Sequence, residues 1–194
     1  DGRFYLVQPR IDGEPLAGRL ARGPLTTAGA LQVAISVLRT LEAAHDQGVF
    51  HRDVKPANIV VAGDDDNPRA MLIDFGLARS AGLDASLRDQ PVGTARYLSP
   101  EQAKREQLDA PSEIFAVGCI LYELVVGQRA FDVAGKRDSE MLRIHGQGKH
   151  RPLTREVPEK LVLIIETALS RDREDRFQNA FDMRRALRQT EHPH

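Results

Sequence analysis

The sequence predicts a mainly α domain, α+β overall, with one short β-hairpin. Three observations carry that prediction. Residues 114–127 are apolar almost all round, the pattern of a helix buried at the centre of a domain. Leu31, Ala34, Ile35, Leu38, Leu41 and His45 recur at helical spacing and give a second long helix one buried face. Residues 59–61 and 71–73 are two short apolar runs flanking a turn rich in Asp and Gly, the signature of a hairpin.

In chain order, residues 4–7 read as a strand entering a turn region at 9–13. Residues 16–21 form a short helix stopped by Gly23-Pro24, and the long helix follows with Thr26 or Thr27 as N-cap and Gly48 just past its end. A polar loop at 51–58 leads into the hairpin, whose turn at 63–69 is the place most tolerant of insertion. Residues 74–101 show no sustained periodicity and read as one long loop, a length that in a compact domain usually serves function. Beyond the central helix, residues 158–170 and 179–189 are helical, with a shorter helix at 141–145.

The composition narrows the function classes. With 194 residues and 41% hydrophobic content, the chain suits one domain with a sizeable core. Lys plus Arg is 27 against 28 Asp plus Glu, a net charge of -1, so the basic excess of a general nucleic-acid binder is missing. The longest mainly apolar run, 114–126, contains Glu123 and is too short to span a bilayer. Cys119 is the sole cysteine, which excludes an internal disulfide and fits a reducing cytoplasm, including the cytoplasmic part of a larger membrane-anchored protein.

Three ordered motifs carry chemistry. His51-Arg52-Asp53-Val54-Lys55-Pro56-Ala57-Asn58 places a carboxylate, an ammonium and an amide oxygen on one irregular loop, able to converge on one point. Asp74-Phe75-Gly76 follows directly behind the second hairpin strand, and the hairpin returns Asp74 towards Asn58. One carboxylate and one amide oxygen then suit a hard cation such as Mg²⁺. Gly93-Thr94-Ala95-Arg96-Tyr97-Leu98-Ser99-Pro100-Glu101 closes the long loop.

This set resembles the protein kinase superfamily, in particular bacterial-type Ser/Thr protein kinases, over most of the chain. Ser99 stands where the family signature has Ala. The resemblance implies a kinase large (C-terminal) lobe at 16–194, with the last small-lobe strand and hinge at 1–15. It implies that Asp53 accepts the proton of a substrate Ser/Thr hydroxyl, that Lys55 neutralises charge on the transferred phosphoryl group of ATP, and that Asn58 and Asp74 hold Mg²⁺. Thr94 is expected to bond to Asp53 and Lys55, and Glu101 to pair with Arg176. At the hinge, Gln8 corresponds to the gatekeeper, the Pro9 carbonyl and Ile11 N–H face the adenine edge, and Val60 packs under its ring. Arg52 is expected to bind a phosphate on the long loop, with Ser86 as candidate acceptor and Ser80 too close to Asp74; Asp84 or Asp89 could instead supply a fixed charge.

The sequence departs from the family at three places. The Gly-rich loop, the β3 Lys and its helical Glu partner have no counterpart in these residues, so the small lobe is expected to be absent and an apolar floor including Val60 and Phe75 to be exposed. Glu113 stands where kinases carry an Asp that braces the His-Arg-Asp loop, and Pro15 falls near a usual ribose contact. The leading expectation is a Ser/Thr protein kinase catalytic lobe acting on protein substrates, and the alternative is a naturally truncated, non-catalytic kinase-like binding module. Residues 1–194 alone are expected to be inactive.

Overall fold

The computed structural model describes residues 11–75, 94–104, 106–131, 136, 138–153 and 157–191. Strand β1 (Glu14–Pro15) pairs antiparallel with β2 (Ile59–Ala62), which pairs antiparallel with β3 (Arg69–Leu72). The register sets Ile59 opposite Leu72 and Val61 opposite Ala70. Alternation along the strands turns Ile59, Val61 and Leu72 into the core, while Met71 faces solvent and Val60 is half-buried. The hairpin is therefore as expected, whereas the two-residue β1 is too short to leave a sequence pattern. Val60 and Phe75 are both half-buried rather than exposed.

Helix α1 (Leu16–Leu20) is followed by α2 (Thr27–His45), whose N-cap is Thr26, its side chain accepting from the Gly29 N–H. The predicted apolar stripe of α2 is buried. The β2–β3 turn is docked against the start of this helix, contrary to the expectation of a free, insertion-tolerant turn. Arg19 donates from Nε and Nη2 to the Asp65 carboxylate at 2.6 and 2.5 Å, and the Thr26 hydroxyl donates to the Asp65 carbonyl at 3.1 Å. A Cβ on Gly29 would lie 1.9 Å from that same carbonyl oxygen, so only glycine lets the two backbones meet.

Among the described residues, the segment read as one loop from 74 to 101 holds a tight turn, Thr94–Tyr97, and ends in helix α3 (Pro100–Ala103). Ser99 caps α3 in a reciprocal box with Gln102, each side chain bonding the other's backbone N–H. Helix α4 (Ala110–Val126) is the central helix, buried continuously from Pro111 to Tyr122. It starts four residues earlier than the apolar run alone indicated, because Asp109 caps it and Pro111 is compatible with a first turn. Gly127 ends it at φ 75°, the left-handed cap that glycine adopts without strain.

Helices α5 (Asp138–Gln147), α6 (Glu159–Ala168) and α7 (Ala180–Glu191) complete the description. α4 packs between α2 and α6, α7 lies along α2, and α5 backs both α3 and the 94–97 turn. A fork from Arg184 to Glu42, at 2.8 and 3.1 Å, fixes α7 on α2. Among the described residues no helix is long and apolar enough to cross a membrane.

Candidate active site

The 51–58 loop is tied down on two sides. The buried His51 donates from Nε2 to the Ile73 carbonyl at 2.8 Å and sets its ring edge-on to Phe75, centroids 4.6 Å apart. That tautomer leaves Nδ1 to accept from the Asp53 N–H at 3.3 Å. Arg52 adopts φ 71°, a left-handed conformation unfavourable for a residue with a Cβ, so something must hold it. Glu113, in the first turn of α4 and 2% exposed, does so: its Oε1 accepts from the Arg52 N–H at 2.5 Å. Its Oε2 meets Nε2 of His45, from the last turn of α2, at 2.7 Å. The extra methylene of Glu over Asp is thus accommodated with the brace intact.

Strain at Arg52 aims the next residue. Asp53 Oδ2 is held by Lys55 Nζ at 2.6 Å and accepts from Asn58 Nδ2 at 3.0 Å, while the Asp53 carbonyl accepts from the same amide at 2.8 Å. Asp53 Oδ1 is shielded from solvent and has no hydrogen-bond partner among the described residues. Pro56 opens the single turn Pro56–Asn58, which brings Asn58 back under Asp53. The Ile73 N–H then donates to the Asn58 carbonyl at 2.9 Å, which sets Asp74 beside Asn58. Asp74 has φ 65°, the other non-glycine residue with positive φ among those described. Asp53, Lys55 and Asn58 are therefore brought together, with Asp74 adjoining them.

A small open cavity lies against Asp53. Asp53 and Val54 form one wall, Tyr97 and Leu98 another, and Glu113 and Ala116 belong to α4 beneath. The second wall is fixed from behind. The Tyr97 hydroxyl donates to Glu123 Oε2 at 2.6 Å; burial first, and then the Glu123 charge, push the phenol well above its usual range. Glu101 forms a bidentate pair with Arg176 at 2.7 and 2.9 Å and accepts from Ser112 Oγ at 2.6 Å. Burial raises the Glu101 pKa, but the bonds from Arg176 and Ser112 outweigh it and hold the carboxyl at about 2. The predicted Glu101–Arg176 pair is present, and it is a buried pair rather than a surface one.

The residue types of this loop match the protein kinase domain, whose family model covers residues 1–190. The chain belongs to the protein kinase family. Relatives of this kinase domain include the probable serine/threonine-protein kinase PknB of Corynebacterium glutamicum, 35% identical over 190 residues, 92% of this chain and 29% of that protein. PknB of Mycobacterium tuberculosis is 33% identical over 193 residues, 94% of this chain and 30% of its own. The chain thus spans under a third of the length of these curated relatives. A solved structure of Rad53 1-466 in complex with AMP-PNP shares the fold at TM-score 0.70 and 23% identity, over 89% of this chain and 43% of that one.

The other expected site residues are described only in part. Thr94 begins the 94–97 turn, with its side chain outside the described residues. Ile11 is half-buried, and Gln8, Pro9, Ser80, Asp84, Ser86 and Asp89 lie outside the described residues. Arg52 is exposed. Sequence reading placed His45 only on the buried stripe of α2 and gave Ser112 no role. Their contacts, to Glu113 and Glu101, arise from tertiary packing and leave no local signal.

Proposed function

We propose that this kinase domain is the catalytic lobe of a Ser/Thr protein kinase that moves the γ-phosphoryl group of ATP to protein hydroxyls. The supporting observation is the division of labour within one carboxylate: Lys55 and Asn58 engage Asp53 Oδ2, and Oδ1 faces no partner. Oδ1 is then the atom that accepts the hydrogen of an incoming Ser or Thr hydroxyl and takes its proton as the oxygen attacks the γ-phosphorus. Asp53 is positioned by the Arg52 strain and the Glu113 brace rather than by its own flexibility, as preorganised catalysis requires. Lys55, two residues on, supplies positive charge beside the transferred group, and Thr94 completes the contact from the opposite loop. Its position after the base favours Ser/Thr over Tyr acceptors.

Asn58 donates its amide hydrogens to Asp53, which leaves its Oδ1 as an acceptor, and the Ile73–Asn58 backbone bond brings the Asp74 position alongside. That pair of hard oxygen donors fits Mg²⁺, which when bound neutralises charge on the ATP phosphates. On the adenine side, Pro9, Ile11 and Val60 supply the hinge contacts and the apolar floor. The division into a hinge at 1–15 and the large lobe at 16–194 follows from the same reading. The test is ATP-dependent labelling of a protein acceptor by the full-length protein, wild type beside Asp53→Asn. Labelling by the wild type, lost in Asp53→Asn while ATP is still bound, is the expected result. No labelling by the wild type under any condition that permits ATP binding favours a binding module instead.

A further inference from the structure

His145 lies in the last turn of α5 and is completely buried, at 0% exposure. Its ring sits 4.4 Å from the Phe131 ring and 6.4 Å from that of Phe115, while Arg176 covers Phe115 at 4.9 Å. Among the described residues neither ring nitrogen has a hydrogen-bond partner. The Leu98 backbone lies near the ring and favours its charged form, without closing a hydrogen bond to either nitrogen. A leucine or phenylalanine would fill such an aromatic, dry site without leaving two polar atoms unpaired, so the imidazole is a cost to folding. Buried groups left half-satisfied point to a second arrangement in which they are paired.

The place of Leu98 indicates what that arrangement serves. Leu98 lines the cavity that Asp53 also lines, so a chain presenting a hydroxyl to Asp53 must rest a neighbouring residue against the Tyr97–Leu98 wall. His145 stands behind this wall, and α5 packs on both the 94–97 turn and α3. We propose that His145 is a positioning residue for the protein substrate, pairing fully with the Leu98 carbonyl when the acceptor chain seats and thereby fixing the wall beside the phosphoacceptor. It touches neither ATP nor the reacting atoms. The inference rests on the kinase reading above.

The experiment uses full-length protein with myelin basic protein and with a degenerate Ser-centred peptide library as acceptors. His145→Leu, His145→Asn and His145→Gln are compared with the wild type. His145→Leu is expected to melt no lower than the wild type, to raise KM for the protein acceptor at least about five-fold and to leave KM for ATP unchanged. It is also expected to flatten the residue preference next to the acceptor Ser. Either His145→Asn or His145→Gln, whichever places an amide N–H where the ring nitrogen was, is expected to restore KM and preference. Unchanged acceptor KM in His145→Leu overturns the proposal, as does an equal loss in all three variants or a parallel rise in KM for ATP. Wild-type protein that labels neither acceptor overturns the kinase reading itself, an outcome distinct from any of these.

Discussion

At Arg52 a single backbone angle links packing to chemistry. A left-handed φ at a non-glycine residue costs on the order of 1 kcal/mol or more and relaxes unless neighbours oppose it. Glu113 opposes it through the Arg52 N–H, and His45 orients Glu113 from the far side. Glu113→Ala removes the acceptor that holds the Arg52 N–H, so Asp53 is free to swing. The expected outcome is a fall in kcat of about 10- to 100-fold in the full-length protein, since a displacement near 1 Å at a reacting group is that damaging. Steady-state kinetics at saturating ATP check it. Glu113→Asp restores the usual family residue but shortens the reach, so it keeps either Arg52 or His45 and loses the other. A milder loss, about three- to ten-fold, is expected there. Equal kcat in both variants and the wild type contradicts the brace.

At the scale of elements, α1, α2 and the β2–β3 turn act as one unit because Asp65 joins them. Its carboxyl is held below the usual range by the Arg19 hydrogen bonds, and its carbonyl oxygen abuts Gly29. Gly29→Ala gains helix propensity but forces a methyl into a backbone oxygen that cannot step aside. The clash is expected to win, for a net loss of about 1–3 kcal/mol, read as a fall in melting temperature of several degrees. A four-residue insertion after Asp64 is expected to be similarly harmful, the reverse of what the polar, Gly-rich turn suggests in sequence. That reversal shows where sequence reading stops. The central helix was legible from 114 onward because its apolar residues and its terminal Gly127 agree, whereas its first turn, capped by Asp109, adds no apolar period of its own. The core of the site was legible because Asp53, Lys55 and Asn58 lie within six residues, so local loop geometry alone gathers them. The four-residue α3 is too short to show a period and announces itself only through Ser99 and Gln102. The contacts of Asp65 and His45 depend on partners 46 and 68 positions away, which no window of sequence contains.

For the whole molecule, two buried ionisable groups set the acid limb of stability in different pH windows. Burial holds His145 at about 4, below its ordinary 6.5, so the unfolded chain takes up a proton before the folded one does. Protonation therefore costs the fold nothing above pH 6.5 and lowers its stability as pH falls towards 4, by about 3 kcal/mol in all. Glu101 is held at about 2 against an ordinary 4.5, so its pairing with Arg176 and Ser112 is complete above pH 4.5 and lost only below it, towards 2. Denaturant melts between pH 8 and 3 are therefore expected to show a first decline from about 6.5 and a second, steeper one beneath 4.5. His145→Leu should erase the first decline and leave the second. Arg176→Ala leaves Glu101 buried and unpaired, between α3 and α4, at an expected cost of about 3–5 kcal/mol at neutral pH. In that variant lowering the pH protonates Glu101 and relieves the charge, so its stability should change little, or rise, between pH 6 and 4 relative to the wild type. A wild-type curve flat from pH 8 to 5, or an Arg176→Ala curve parallel to the wild type, contradicts these assignments.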